Sequence, residues 1–322
     1  MGRKYFITGG AGFIGSNFVR QVLASEPDAV VTNLDVMTYA GVASTVEELD
    51  ESDRHTFVMG DIRDRELLEE VLPGHDVVVH FAAESHVDRS IAGPLTFLDT
   101  NVVGTGVLLD AAYTIGIPRF IHVSTDEVYG SIDEGSASES DNLNPSSPYS
   151  ASKAGSDLLA LSYATTYGYD VVVTRCTNNY GPYQFPEKVI PLFITNLLDG
   201  IKVPLYGTGI NERDWLHVSD HCAAIHLVID KGAGGEVYNI GADAQLSNID
   251  LTHAILSALD MDSSWIQPVD DRLGHDLRYA VDSSKIRSLG WSPAQRFDER
   301  LGDTIEWYRS RPDWWRPLKE RT

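Results

Sequence analysis

Tyr149-Ser-Ala-Ser-Lys153 sets a phenol and an ammonium four residues apart, a spacing that puts both on one face of a helix. A cation beside a phenol stabilises the phenolate, so the pKa of Tyr149 is expected to fall from about 10 towards neutrality. Such a pair can take the proton of a hydroxyl while its carbon gives up hydride. Tyr-x-x-x-Lys also recurs by chance, so its surroundings decide its weight. Two adjacent acids stand upstream in Ser124-Thr125-Asp126-Glu127-Val128-Tyr129-Gly130. Neighbouring carboxyls in unlike environments hold opposite protonation states and can divide acid from base work. The alternative for Asp126-Glu127 is that they open a loop or cap a turn.

A third constellation lies near the start, in Thr8-Gly9-Gly10-Ala11-Gly12-Phe13-Ile14-Gly15. Glycines at 9, 12 and 15 let the backbone turn tightly and approach a pyrophosphate, whose charge then sits at the positive end of the next helix. Asp35 follows about twenty residues later, where a carboxylate accepts from both ribose hydroxyls and repels a 2′-phosphate. NAD is therefore expected over NADP, the alternative being that Asp35 caps a loop. Asp61-Ile62 suits the two sides of an adenine, unless Asp61 is the N-cap of the helix beyond it. Lys153 is also placed to hold the nicotinamide ribose.

These residues need a rigid frame. Lys4–Thr8, Val30–Asp35, Thr56–Gly60, Val77–Ala82, Phe120–Ser124 and Val171–Arg175 are near-continuous apolar runs and read as buried parallel strands. Amphipathic stretches at Phe13–Ala24, Arg65–Val71, Leu95–Ile115 and Tyr149–Tyr167 alternate with them. The pattern predicts an α/β fold, a Rossmann-type doubly wound parallel sheet with a smaller mixed α/β C-terminal lobe. Residues 1–176 form the expected NAD-binding domain, with return segments near 213–240, and residues 177–322 the expected substrate lobe. In that lobe Pro182, Pro186, Pro191 and Pro204 punctuate a loop-rich stretch, followed by helices at Val218–Asp230 and Asn248–Leu259. The chain is expected to re-enter the sheet near Glu236–Ile240, and Ser131–Ser147 to be an exposed loop.

Composition removes several classes. A net charge of −22, from 25 basic and 47 acidic residues, argues against nucleic-acid binding. A phosphorylated substrate must then be met by local arginine and lysine. Cys176 and Cys222 each lie in an apolar segment without metal-ligand spacing, so buried reduced thiols and no metal are expected. No apolar run is long enough to span a membrane and no secretory leader is evident, which makes the cytoplasm the expected location.

Gly9–Gly15, Tyr149 and Lys153 together resemble the extended short-chain dehydrogenase/reductases, which implies NAD on the sheet and a nucleotide-sugar on the C-terminal lobe. Thr125-Asp126-Glu127, at the carboxyl end of a strand, narrows the resemblance to the dTDP-glucose 4,6-dehydratases. Further similar segments are His80–Ser90, Thr174–Lys188, Arg213–His221 and Asp271–Asp276. The resemblance implies that Tyr149 deprotonates the hydroxyl on carbon 4, beside Thr125, as hydride leaves for NAD. Protonated Asp126 then releases the carbon-6 hydroxyl as water, Glu127 takes the carbon-5 proton, and hydride returns to carbon 6.

The same resemblance assigns Phe13, Ile14, Thr38, Phe81, Ala82, Ala83, Ser85, Thr100 and Asn179 to the cofactor. Ser85 and Asn178 reach the sugar or its phosphates, and Lys188, Arg213 and Arg272 are the pyrophosphate candidates. Pro204-Leu205-Tyr206 would sandwich the base, with Asn248 and His275 nearby. For Arg213 the alternative is an internal ion pair with Asp214. Val42 departs from a usually polar position, and an insertion that some relatives carry before Tyr149 is missing; neither touches the chemistry. Asp35 counts against the NADP-using GDP-mannose dehydratases, and Asp126-Glu127 against UDP-sugar epimerases and UDP-glucuronate decarboxylases. A silent NAD-binding protein would have lost these side chains. A dTDP-hexose partner is implied, as is a homodimer through Leu95–Ile115 and Tyr149–Tyr167.

Overall fold

The structure is a computed structural model that describes residues 2–271, 276–294 and 296–321. Its frame is a seven-stranded sheet built from β1 (Lys4–Thr8), β2 (Val30–Asp35), β3 (His55–Met59), β4 (Val77–His80), β5 (Arg119–Thr125), β6 (Val171–Cys176) and β10 (Val237–Ile240). The order is β10-β6-β5-β4-β1-β2-β3, every pair parallel. Strand order therefore reverses between β1 and β4, the switch point outside whose carboxyl ends such sheets open a crevice. Asp35, Thr125 and Cys176 are the terminal residues of their strands on that edge.

Alternation along the strands loads both faces. Tyr5, Ile7, Val31, Val77, Val79 and Ile121 pack on one side with Phe18 and Val22 of α1 (Phe13–Ser25). Phe6, Leu34, Val78, Phe120, Val171 and Val173 pack on the other, against Leu68, Leu108 and Ala160. Those three come from α3 (Arg65–Val71), α6 (Thr105–Ile115) and α7 (Pro148–Tyr167), α2 being Ala43–Leu49, α4 Val87–Ala92 and α5 Pro94–Phe97. A second core, with Phe193, Ile194, Trp215, Leu251, Ile305, Tyr308 and Trp315, gathers the later elements. α9 (Val218–Lys231) and α11 (Ser284–Ser288) return to the first face of the main sheet through Ile225, Val228 and Ile286; the helices of the second core are α8 (Val189–Leu198), α10 (Asn248–Ala258), α12 (Phe297–Ser310) and α13 (Pro312–Lys319). They surround a three-stranded sheet, β7 (Asn178–Tyr180), β9 (Glu212–His217) and β11 (Gln245–Ser247), and the pair β8 (Val203–Tyr206) and β12 (Ile266–Val269). Among the described residues no helix is long and apolar enough to cross a membrane.

Several expectations are corrected. Leu95–Ile115 is helical throughout, as expected, but not α-helical throughout: α5 and α6 run together through a π-helical stretch, Leu98–Gly104. Inside it Asn101 turns its amide onto the backbone of Glu84, accepting from N–H (2.9 Å) and donating to C=O (3.0 Å). Pro191 does not break the chain; it is the third residue of α8, within the first turn, whose N–H groups have no helical partner. The stretch after Asp35 carries α2, and Ser131–Ser147 is not wholly exposed, since Ala137 is buried and bridges Val281.

Candidate active site

β1 delivers the chain to Gly9, whose φ of +75° is the left-handed region and whose Cβ would lie 2.6 Å from the Ala82 nitrogen. A Cβ on Gly15 would run into the Gly9 carbonyl. The turn can thus close only without side chains there. Gly12 gives α1 no side-chain cap, so the first-turn N–H groups of α1 stay available to an anion. Asp35 braces this turn while lining the cleft beside it: its carboxylate accepts from Ala11 N–H (3.0 Å) and Met37 N–H (2.8 Å). Burial raises its pKa and those two bonds oppose the rise. The capping of Arg65–Val71 falls to Asp64, which accepts from Leu67 N–H, and not to Asp61. Asp61 instead pairs with Arg63 at 2.6 Å, which holds its carboxyl below the usual range.

A cleft of about 490 Å³ runs across the switch point. Gly9, Gly12, Phe13, Ile14 and Gly15 line one end, with Asp35, Thr38, Asp61 and Ile62 beside them. Phe81, Ala82, Ala83, Ser85, Thr100 and Asn179 continue the wall. Thr125, Asp126, Glu127, Tyr149 and Lys153 meet at its centre, and Asn178 and Lys188 extend it. Lys188 Nζ donates to the Ser85 carbonyl at 3.1 Å. All the residues expected to hold the cofactor or act on substrate, from distant parts of the chain, share this one cavity.

The helix that carries the phenol is well begun. Ser147 and Ser150 form a capping box and Pro148 opens the first turn, so Tyr149 and Lys153 have fixed backbones. Opposite them Thr125 caps a 3-10 turn, Asp126–Tyr129, accepting from Glu127 N–H at 3.2 Å. Asp126 is 3% exposed and its Oδ2 has no hydrogen-bond partner among the described residues. Burial pushes its pKa well above the carboxylate range, and the charges of Glu127 and Asp214 add to the push against Arg213. That direction favours the protonated form of Asp126. Glu127 is only half-buried beside it.

Tyr149 does not show the expected depression. Burial, then Glu127, raise its pKa well above 10, opposed by a hydrogen bond with Thr125. The Lys153 ammonium is turned to the Val123 carbonyl, 2.8 Å away, and its own pKa is lowered by burial. Spacing placed the two groups on one face; it could not reveal how completely both would be desolvated.

A sequence profile described as GDP-mannose 4,6 dehydratase matches residues 6–304. A dTDP-glucose 4,6-dehydratase of Streptomyces antibioticus is 56% identical over 321 residues, 98% of this chain and 95% of its own. The chain belongs to the dTDP-glucose 4,6-dehydratase family. A member from Streptomyces venezuelae, solved with NAD and TYD bound, superposes with a TM-score of 0.96 at 56% identity, covering 98% of this chain and 99% of that one. Another from Bacillus anthracis, in complex with NAD, gives 0.93 at 45%, with 98% and 99% covered.

The remaining described residues expected to meet the substrate's pyrophosphate and base lie beyond the cleft. Arg213 is buried on β9, opposite Leu246 of β11; its guanidinium donates to the carbonyls of Glu212 (2.7 Å) and Asp276 (3.0 Å) and lies 4.2 Å from the Tyr279 ring centroid. Asp214 spends its oxygens on Ala242 and Ala244 N–H, so the two neighbours do not form the internal ion pair. Asn248 begins α10 and donates its N–H to Asn211 (2.9 Å). Pro204 and Tyr206 stand on β8, Tyr206 exposed. None of these four lines the cavity itself. Arg272 and His275 lie outside the described residues. Cys176 and Tyr279 are among the groups that escaped the sequence analysis, as are Glu84 and Glu187 of the cleft wall. Cys176, read only as a buried thiol, lines the cleft, and Tyr279 feels the charge of Glu127. Only the fold brings them near; their local sequence carries no signal.

Proposed function

We propose that this chain is an NAD-dependent hydro-lyase that converts dTDP-glucose to dTDP-4-keto-6-deoxyglucose, the reaction named for its relatives. The observation that carries it is a buried Asp126, whose pKa that burial raises, and a half-buried Glu127 on one turn, lining the cleft with Tyr149. An epimerase has no use for that pair.

The residues present suit the dinucleotide. The turn at Gly9 and Gly15 leaves room that a Cβ would fill, uncapped N–H groups follow it, and Asp35 stands where a ribose is read. When bound, NAD supplies the acceptor for the carbon-4 hydride, which it gives back at carbon 6, and a positive ring charge that favours ionised Tyr149. Tyr149 takes the carbon-4 hydroxyl proton, with Thr125 bonded to that oxygen and Lys153 holding the ribose. The resulting ketone acidifies carbon 5; Glu127 removes that proton, Asp126 gives its own to the carbon-6 hydroxyl, which leaves as water, and Glu127 hands its proton back to carbon 5 as carbon 6 is reduced. Asn178, Lys188, Arg213 and Arg272 meet the pyrophosphate side, and Pro204, Tyr206, Asn248 and His275 the base.

Location in the cytoplasm and assembly as a homodimer complete the proposal. Leu95, Val103, Leu158 and Tyr167, apolar and exposed on the layer formed by α5, the π-helical stretch and α7, favour a second copy as partner. Purified protein should turn over dTDP-glucose faster than UDP-glucose. One methyl group contributes about 1–3 kcal/mol of discrimination. Equal or better use of UDP-glucose would refute the thymidine assignment.

A further inference from the structure

The two reacting pairs sit on different elements, Tyr149 and Lys153 on α7 and Asp126 and Glu127 on the 3-10 turn after β5. A four-residue 3-10 turn has little stability of its own, so its aim must be fixed from outside. A buried polar chain does this. Asp157 follows Lys153 by one helical turn on the same face of α7 and is fully buried. Its Oδ2 accepts from Arg175 Nε of β6 at 2.9 Å, and its Oδ1 lies 3.3 Å from His122 Nε2. Arg175 then donates through an amino nitrogen to the Tyr129 hydroxyl, at 2.7 Å, with its guanidinium 4.9 Å from that ring's centroid. Tyr129 closes the turn that carries the two acids and donates on to Asn239 Oδ1 of β10, at 2.8 Å.

None of these four side chains lines the cleft in which the reacting groups meet. All four are nearly free of solvent, and charge-assisted bonds in such surroundings tolerate few alternative arrangements. Building on the dehydratase reading above, we propose that Arg175 and Tyr129, anchored by Asp157, are positioning residues that hold the Asp126–Glu127 pair in register with Tyr149 and Lys153. Their work is to let elimination across carbons 5 and 6 keep pace with oxidation at carbon 4, on a sugar that does not move between steps.

The test uses NAD-loaded wild type, Tyr129→Phe and Arg175→Lys. Each is given dTDP-glucose deuterated at carbon 4 or, separately, at carbon 5, with NAD content and thermal unfolding followed in parallel. Tyr129→Phe keeps the ring and removes the bridging hydroxyl; kcat should fall by about ten- to a hundred-fold, with KM and NAD content held. The isotope effect from carbon 5 should grow and that from carbon 4 shrink towards one, because elimination now lags. Arg175→Lys keeps a cation opposite Asp157 but withdraws the fork to Tyr129, and must shift both effects the same way. A fall in kcat with both isotope effects unchanged would mean a general structural loss and overturn the proposal. So would unimpaired turnover, or a failure of both variants to fold. Wild type that leaves dTDP-glucose untouched would instead refute the dehydratase reading, before any variant is compared.

Discussion

Asp126 and Glu127 are the same kind of acid one bond apart in the chain, and burial alone separates their roles. An unfolded aspartate ionises near pH ~4, whereas folded Asp126 keeps its proton well above that. Between those two values the folded state holds the extra proton, so folding stability declines as pH rises through the window. The expected result for Asp126→Asn is a kcat lower by about 10²- to 10⁴-fold together with a higher melting temperature at neutral pH. That stability gain should vanish below pH ~4, where both states are protonated. Wild-type kcat should fall as alkali removes the Asp126 proton. A melting temperature unmoved by the substitution at every pH would deny that Asp126 is buried and neutral. The pair was legible in sequence because two adjacent acids exceed what a tyrosine-lysine site needs. The upward shift of Tyr149 was not, since it depends on burial among residues that are distant in the chain, Glu127 and Cys176 included.

Elements whose signal is local were read well. β1, β2 and α3 have the limits the sequence implies, set by apolar runs and by capping chemistry at their ends. The glycine turn belongs with them, and Gly9→Ala should empty it. Left-handed backbone costs a residue with a Cβ about 1–2 kcal/mol, and that Cβ would also press on Ala82. Protein purified with this substitution should carry about ten-fold less NAD, measured after acid release, since ~1.4 kcal/mol is a factor of ten in affinity. Undiminished cofactor would remove the turn from the site. Leu95–Ile115 misled because a hydrophobic repeat does not register one extra residue in a turn. The π-helical stretch accommodates Asn101 against Glu84 and sets Thr100 on the cleft wall. In α8 a proline at the third residue looked like a breaker, though the first turn needs no N–H there.

At the scale of the whole molecule, one strand-order reversal gathers the glycine turn, Asp35, the acid pair and the phenol into a single cavity. A chain with net charge −22 leaves a diphosphate to local cations, and Lys188, on the cleft wall, and buried Arg213 are the ones proposed for it. The sheet was legible as six apolar runs. The second core was less so, because α12 and α13 close it through Tyr308, Trp314 and Trp315, whose partners lie far back in the chain. A single cavity that joins the glycine turn to both reacting pairs implies that hydrogen taken from carbon 4 stays within the protein. The purified protein, with no NAD added, should therefore convert dTDP-glucose deuterated at carbon 4 into a product lighter by one water that carries its deuterium on carbon 6. Deuterium lost to solvent or scattered between molecules, or product still bearing its carbon-6 hydroxyl, would contradict an internal oxidation, elimination and return.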